Sequence, residues 1–131
     1  MILDSSAVVA VMREEAELES FTDLIEQAPM VAISAATVVE ASLVLGSSRH
    51  RDLDEWLDAL GADVIALDLE QARIAREAHA TYGRGSGSPA RLNLGDCFSF
   101  ALAKTTGRPL LFKGGDFEHT DVVPAYSPSS D

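Results

Sequence analysis

A single cysteine, Cys97, in 131 residues excludes an internal disulfide and leaves too few thiols for a structural zinc site. One free thiol fits a reducing compartment, so a cytoplasmic location is expected. Long apolar runs are missing as well. AISAATVVEASLVL, among the fullest, is broken by Ser, Thr and Glu and falls short of a membrane span. The opening MILDSSAVV meets an acid at position 4 with no basic flank before it, which argues against a signal peptide and for a structural strand. Basic residues are scarce: 10 Lys and Arg face 21 Asp and Glu, for a formal charge of −11. On average such a surface repels a polyanion. A nucleic-acid enzyme of this charge needs a divalent metal among its acids and a basic strip away from them. The bases gather loosely at Arg84 and Arg91, then at Lys104, Arg108 and Lys113. A cationic protein partner would suit the acidic excess equally, so charge alone selects no function.

The chain is long enough for one domain, expected over residues 1–123, with 124–131 (PAYSPSSD) as a disordered tail. Its apolar segments alternate between short runs and helical periodicity. Strands are expected over 1–3, 30–33, 63–67, 110–112 and 120–123. Helices are expected over 7–12 with Ser5 or Ser6 as cap, 13–28, 35–45 with Ser34 as cap, 51–60, 69–82 and 95–106. The clearest loop is GRGSGSPARLN, 83–93, whose two arginines make it a modest candidate for touching a phosphate backbone. Short strands alternating with helices imply an α/β fold, a three-layer α/β/α sandwich around a mostly parallel sheet. In such sheets the site lies beyond the carboxyl ends of the strands.

Acids recur at those places. Asp4 follows the first strand, Asp116 lies a few residues past the strand 110–112, and Asp96 opens a helix, where the macrodipole favours an anion. Each has an ordinary structural role open to it: a helix cap for Asp4 and Asp96, a turn for Asp116. Glu40 differs. Its helical neighbours Ala36, Thr37, Leu43 and Val44 offer no cation, so it pairs with a distant base or meets a metal. Hard oxygen ligands gathered at one sheet edge suit Mg2+ or Mn2+. His50, His79 and His119 have no zinc-motif spacing and read as surface or capping residues. Cys97 reads as a small buried thiol and Trp56 and Leu53 as core.

ILDSSAVVAV, VVEA around Glu40, LGDCFSFALA around Asp96 and LLFKGGDF resemble, in order and spacing, the PIN-domain ribonucleases, and within them the VapC-type toxins of toxin–antitoxin pairs. The resemblance runs to about residue 123. It implies a PIN-like fold and a Mg2+-dependent endoribonuclease. Asp4 and Asp96 would be metal ligands, Glu40 the third acid, and Ser6 the hydroxyl that orients Asp4. Gly114 stands where many relatives carry a fourth acid, so Asp116 takes that place, with Asp121 as the other candidate. The resemblance also implies an RNA substrate, a homodimer, and a cognate antitoxin whose basic segment enters the acid cleft. Two other readings stay open on the residues: a non-catalytic acidic binding module, and an aspartate-based phosphotransfer domain. For the latter, Ser6 stands where a haloacid dehalogenase would place its second Asp, and Asp68 is a poor match for a receiver's phosphorylated Asp.

Overall fold

The computed structural model describes residues 1–127. Four strands, β1 (Ile2–Leu3), β2 (Ala32–Ser34), β3 (Asp63–Ile65) and β4 (Leu110–Leu111), form one all-parallel sheet in the order β3-β2-β1-β4. Six helices connect them: α1 (Ser5–Met12), α2 (Leu18–Gln27), α3 (Ala35–Leu45), α4 (His50–Leu60), α5 (Leu69–Tyr82) and α6 (Leu94–Thr106). The strand alternation sorts the core into two halves. Ile2, Ala32 and Leu110 face α5 and α6, whereas Leu3, Ile33 and Leu111 face α1 to α4. The sheet is therefore covered on both faces, as the expected three-layer sandwich requires. Burying each such Leu or Ile side chain contributes roughly 1.5–3 kcal/mol. Among the described residues no helix is long and apolar enough to cross a membrane.

The order of strands decides where a site can form. From β1 the chain adds β2 and then β3 on one side, and returns to add β4 on the other. The direction of winding reverses between β1 and β4, so a crevice opens at their carboxyl ends. Asp4 stands there, its backbone N–H donating to Leu111 O at 3.0 Å.

Several expected boundaries shift, each for a local reason. The helix expected over 13–28 begins only at Leu18. Glu14 turns left-handed at φ +52, and Glu15 N–H returns to Ala10 O at 2.8 Å, which separates α1 from α2. Asp4, not Ser5 or Ser6, caps α1 through its side chain. The strand expected over 63–67 stops at Ile65, because Asp68 caps α5 and the Gln71 amide takes Ala66 O at 3.0 Å out of the ladder. The expected last strand, 120–123, reduces to a single parallel bridge between Leu110 and Pro124. Proline has no N–H to extend it. Of the tail expected to be disordered, Ala125 N–H donates to Leu110 O at 2.8 Å and Tyr126 sets its ring edge-on to Phe21 at 5.2 Å. Residues 128–131 of that tail lie outside the described residues.

Candidate active site

Asp4 leaves β1 into the crevice and is almost wholly enclosed, at 1% exposure. Both of its oxygens are held. Ser6 donates to Oδ2 from its backbone N–H at 3.1 Å and from its hydroxyl at 2.6 Å, and the Ser99 hydroxyl donates to Oδ1 at 2.6 Å. The Ser6 hydroxyl in turn accepts the Lys113 backbone N–H at 2.9 Å, so the end of β4 steers the acid at the end of β1. Ser99 meets Thr37 Oγ1 at 3.2 Å, and both lie fully inside. Burial raises the Asp4 carboxyl above its ordinary value, although these hydroxyl and amide donors oppose the rise.

Glu40 projects from α3, which Ser34 starts by accepting the Ala36 N–H at 3.2 Å and Gly46 stops at φ +91. Among the described residues no distant base meets it. Its Oε1 accepts the Ser5 hydroxyl, and its other carboxylate oxygen rests against Gly95, where an added Cβ would overlap it. Burial raises its pKa, the Ser5 bond lowers it, and the nearby charge of Asp4 raises it again.

Asp96 sits one residue beyond Gly95, in the first turn of α6. Asn93, not Asp96, is the cap: its side chain accepts the Asp96 N–H at 2.9 Å, and Asp96 Oδ2 accepts the Asn93 N–H at 3.0 Å. This reciprocal capping box fixes the carboxylate and still leaves Oδ1 without a donor among the described residues. Burial pushes the Asp96 carboxyl up to about 7; the Asn93 amide opposes this, and the charges of Asp4, Asp116 and Glu40 add to it. Four of the acids singled out from the sequence thus act on one another through space. Asp116 enters from the rim, exposed at the start of a 3-10 turn, Asp116–His119. Asp121 does not join them: it pairs with Lys104 at 2.7 Å.

The described ion pairs join Arg49 to Asp52, Lys104 to Asp121, and Lys113 to Glu15 and Glu17. None reaches Asp4, Glu40, Asp96 or Asp116, so the cluster is uncompensated by any described side chain. Of the loosely gathered bases, Lys104 and Lys113 are taken up by acids and Arg108 lies on Met30. Of those gathered bases, Arg84 and Arg91 have no side-chain partner among the described residues. Cys97 is buried, and burial together with Asp96 pushes its thiol up to about 11, the wrong direction for a nucleophile. The His50 ring bonds Ser42 O at 3.0 Å, in keeping with a capping role.

Sequence reasoning missed Ser5, Thr37, Asn93, Gly95 and Ser99. A signal existed for two of them. Thr37 precedes Glu40 by three residues and Ser99 follows Asp96 by three, so each shares a helix face with its acid, within otherwise apolar helices.

Among the described residues no three His, Cys, Asp or Glu side chains form a ready-made ligand cage. Mg2+ does not require one, because it keeps several waters and takes one or two carboxylates together with substrate phosphates. The donor set fits such an ion: all-oxygen, buried and without a counter-charge.

Comparison with known proteins agrees with this geometry. Ribonuclease VapC42 of Mycobacterium tuberculosis is 45% identical over 129 residues, spanning 95% of this chain and 98% of the relative. Ribonuclease VapC30 of the same organism is 43% identical over 127 residues, spanning 94% and 96%. Among solved structures, Mycobacterium tuberculosis VapC20, described as a sarcin-ricin loop cleaving toxin, superposes with a TM-score of 0.72 at 18% identity, over 93% of this chain and 95% of that one. A toxin–antitoxin complex from Klebsiella pneumoniae gives 0.70 at 20% identity, over 97% and 98%. The latter two establish the fold alone. The PIN domain profile matches residues 1–123, and this chain belongs to the PIN domain family.

Proposed function

We propose that this chain is a divalent-metal-dependent endoribonuclease serving as the toxin of a toxin–antitoxin pair. The observation that carries the reading is the acid cluster: Asp4 and Asp96 are buried and Glu40 half-buried, they act on one another through space with no cation among the described residues, and each is pushed toward its protonated form. Buried like charges are costly, and either protonation or a positive species relieves them. The relatives named as VapC ribonucleases, matched over nearly the whole chain, point to the same chemistry.

Asp4 and Asp96 would hold the ion, Mg2+ with Mn2+ as substitute, which when bound would supply Lewis-acid stabilisation of the charge developing on the phosphate. The chain's own residues do the rest. Ser6 and Ser99 lock both Asp4 oxygens in one orientation, so the ligand needs no reorganisation. The capping box does the same for Asp96 while leaving Oδ1 available. Glu40 has one oxygen on Ser5 and the other against Gly95 with no hydrogen bond among the described residues, where it would accept a proton from the attacking water. Asp116 stands at the mouth as the fourth acid.

Partners follow the same logic. RNA would be the substrate. A basic segment of a cognate antitoxin inserted among Asp4, Glu40 and Asp96 would replace the ion's charge. A homodimer is supported by the outer face of α3, where Val39, Leu43 and Val44 are 58%, 75% and 48% exposed. The test is RNA cleavage with Mg2+, with EDTA, and by Asp4→Asn and Asp96→Asn. Cleavage that needs metal and disappears in both folded variants is expected. Full activity in either variant, or in EDTA, overturns the reading.

A further inference from the structure

The basic charge of this acidic chain is not spread evenly. Residues 69–93 carry four arginines against Glu70 and Glu77, whereas the remainder sets six basic residues against nineteen acidic ones. Side-chain partners sharpen the contrast. Among the described residues, Arg51, Arg73, Arg76, Arg84 and Arg91 alone of the ten Lys and Arg make no side-chain ion pair or hydrogen bond. Four of those five lie on α5 and the loop that follows it.

That loop is held in place rather than loose. Arg84 N–H donates to Leu92 O at 3.1 Å and Leu92 N–H to Tyr82 O at 2.9 Å, which pins both ends beside Asn93, the cap of α6. Arg91 is fixed at φ +51, a left-handed conformation disfavoured for a side chain of its size. Two free guanidiniums are thereby presented at the helix end that carries Asp96. Beside them a groove of about 350 Å³ opens between α5 and α6, lined by Leu67, Ala75, Arg76, His79, Leu94 and Phe98. Leu94 is 66% exposed. Leu94 and Phe98 are one turn apart, on the flank of α6 turned away from Asp96, which lies two residues from each.

We propose that this side of the molecule is the substrate track: Arg84 and Arg91 hold backbone phosphates flanking the scissile one, and the α5–α6 groove receives a neighbouring nucleobase over the end of α6, with Arg76 at its rim. This rests on the ribonuclease reading and adds the direction from which RNA enters. Single-stranded RNA matches the surface because it joins anionic phosphates to flat apolar bases that can be splayed from the strand. A basic protein segment does not match, since Arg76 at the rim would face like charge.

The test is fluorescence anisotropy of a labelled single-stranded RNA with the full chain, in EDTA to prevent metal-dependent cleavage, across a salt series. Each phosphate contact contributes about 0.7 to the slope of log affinity against log salt for single strands, so the triple variant Arg76→Gln, Arg84→Gln, Arg91→Gln, which removes the two phosphate contacts, should lose about 1.4. Arg51→Gln, the free arginine outside the segment, should leave the slope unchanged. Leu94→Asp should erase the preference for RNA over an abasic ribose–phosphate strand of equal length. An unchanged slope in the triple variant overturns the inference, as does loss of antitoxin binding in that variant with RNA binding intact. Cleavage by the unaltered chain, measured with Mg2+ in parallel, separates the two readings. Cleavage with an unchanged slope sinks only the track; arginine-dependent binding without cleavage sinks only the ribonuclease.

Discussion

The Ser99 hydroxyl donates to Asp4 Oδ1 at 2.6 Å across 95 residues of sequence. Ser99 stands one helical turn beyond Asp96, so the element that supplies one acid also orients the other. The contact is fully buried, and Thr37, from the helix that carries Glu40, touches the same hydroxyl. Three segments that each contribute an acid are therefore joined by two hydroxyls. The cluster behaves as one unit rather than as separate carboxylates.

Removing that hydroxyl should affect chemistry more than folding. Ser99→Ala leaves the Asp4 carboxylate short of one donor inside the core, and supporting contacts of this kind typically change metal affinity or activity about 10–100-fold. Metal titration of cleavage should show the apparent affinity weakened in that range, with Ser99→Thr restoring part of it. An unchanged metal dependence would show that Ser99 serves packing alone.

Gly95 is needed for a different reason, since a methyl group there would overlap the Glu40 carboxylate. Gly95→Ala should displace Glu40 or shift the start of α6, and overpacking of this kind costs about 1–3 kcal/mol. Urea denaturation should show a lowered midpoint together with reduced cleavage. The double variant Gly95→Ala, Glu40→Ala should recover stability but not activity.

The metal-free chain should become less stable as pH rises. Asp96 titrates near 7 in the folded protein, above its ordinary value of 3.8, and Asp4 and Glu40 are raised in the same sense. Between those two values the folded state binds more protons than the unfolded one, so stability falls with increasing pH and levels off above the folded pKa. Thermal melts in EDTA should show a lower melting temperature at pH 8 than at pH 5. Asp96→Asn should flatten part of that decline, and Mg2+ should oppose it in the unaltered chain but less in the variant. A pH-independent difference between the two proteins would count against the burial argument.

Leu43, 75% exposed on α3, should lie in the dimer contact if the chain pairs with itself. Light scattering of the unaltered chain should give twice the monomer mass. Leu43→Asp should give the monomer with an unchanged circular dichroism spectrum. A monomeric unaltered chain would remove the homodimer from the reading.

Much of this was legible beforehand. Helical spacing in 51–60, the alanine-rich run 69–82, the glycine stop after 106, and short apolar runs at 1–3 and 110–112 placed the layers, because a residue's preference for one face shows directly in its spacing. Boundaries slipped where a side chain competed with the backbone ladder. Gln71 removed Ala66 from β3, and Glu14 interrupted the helix expected over 13–28. The fourth acid depended on fine placement. The resemblance favours Asp116, which stands in the LLFKGGDF motif, over Asp121; in the structure Asp116 acts on Asp96 through space, whereas Asp121 pairs with Lys104.

By itself the sequence determined which residues are chemically out of place: an acid at the end of the first strand, a glutamate without a helical partner, an aspartate opening an apolar helix. Local spacing is enough for that, because neighbours on one element are known from its period. The tertiary structure alone decided what each acid meets. Among the described residues Asp4 found Ser99, Glu40 found Ser5 and Gly95 instead of a base, and Arg84 and Arg91 found no partner while Lys104 and Lys113 did. Such pairings join segments far apart in the chain, and they are set by strand order and helix packing, which no local pattern encodes.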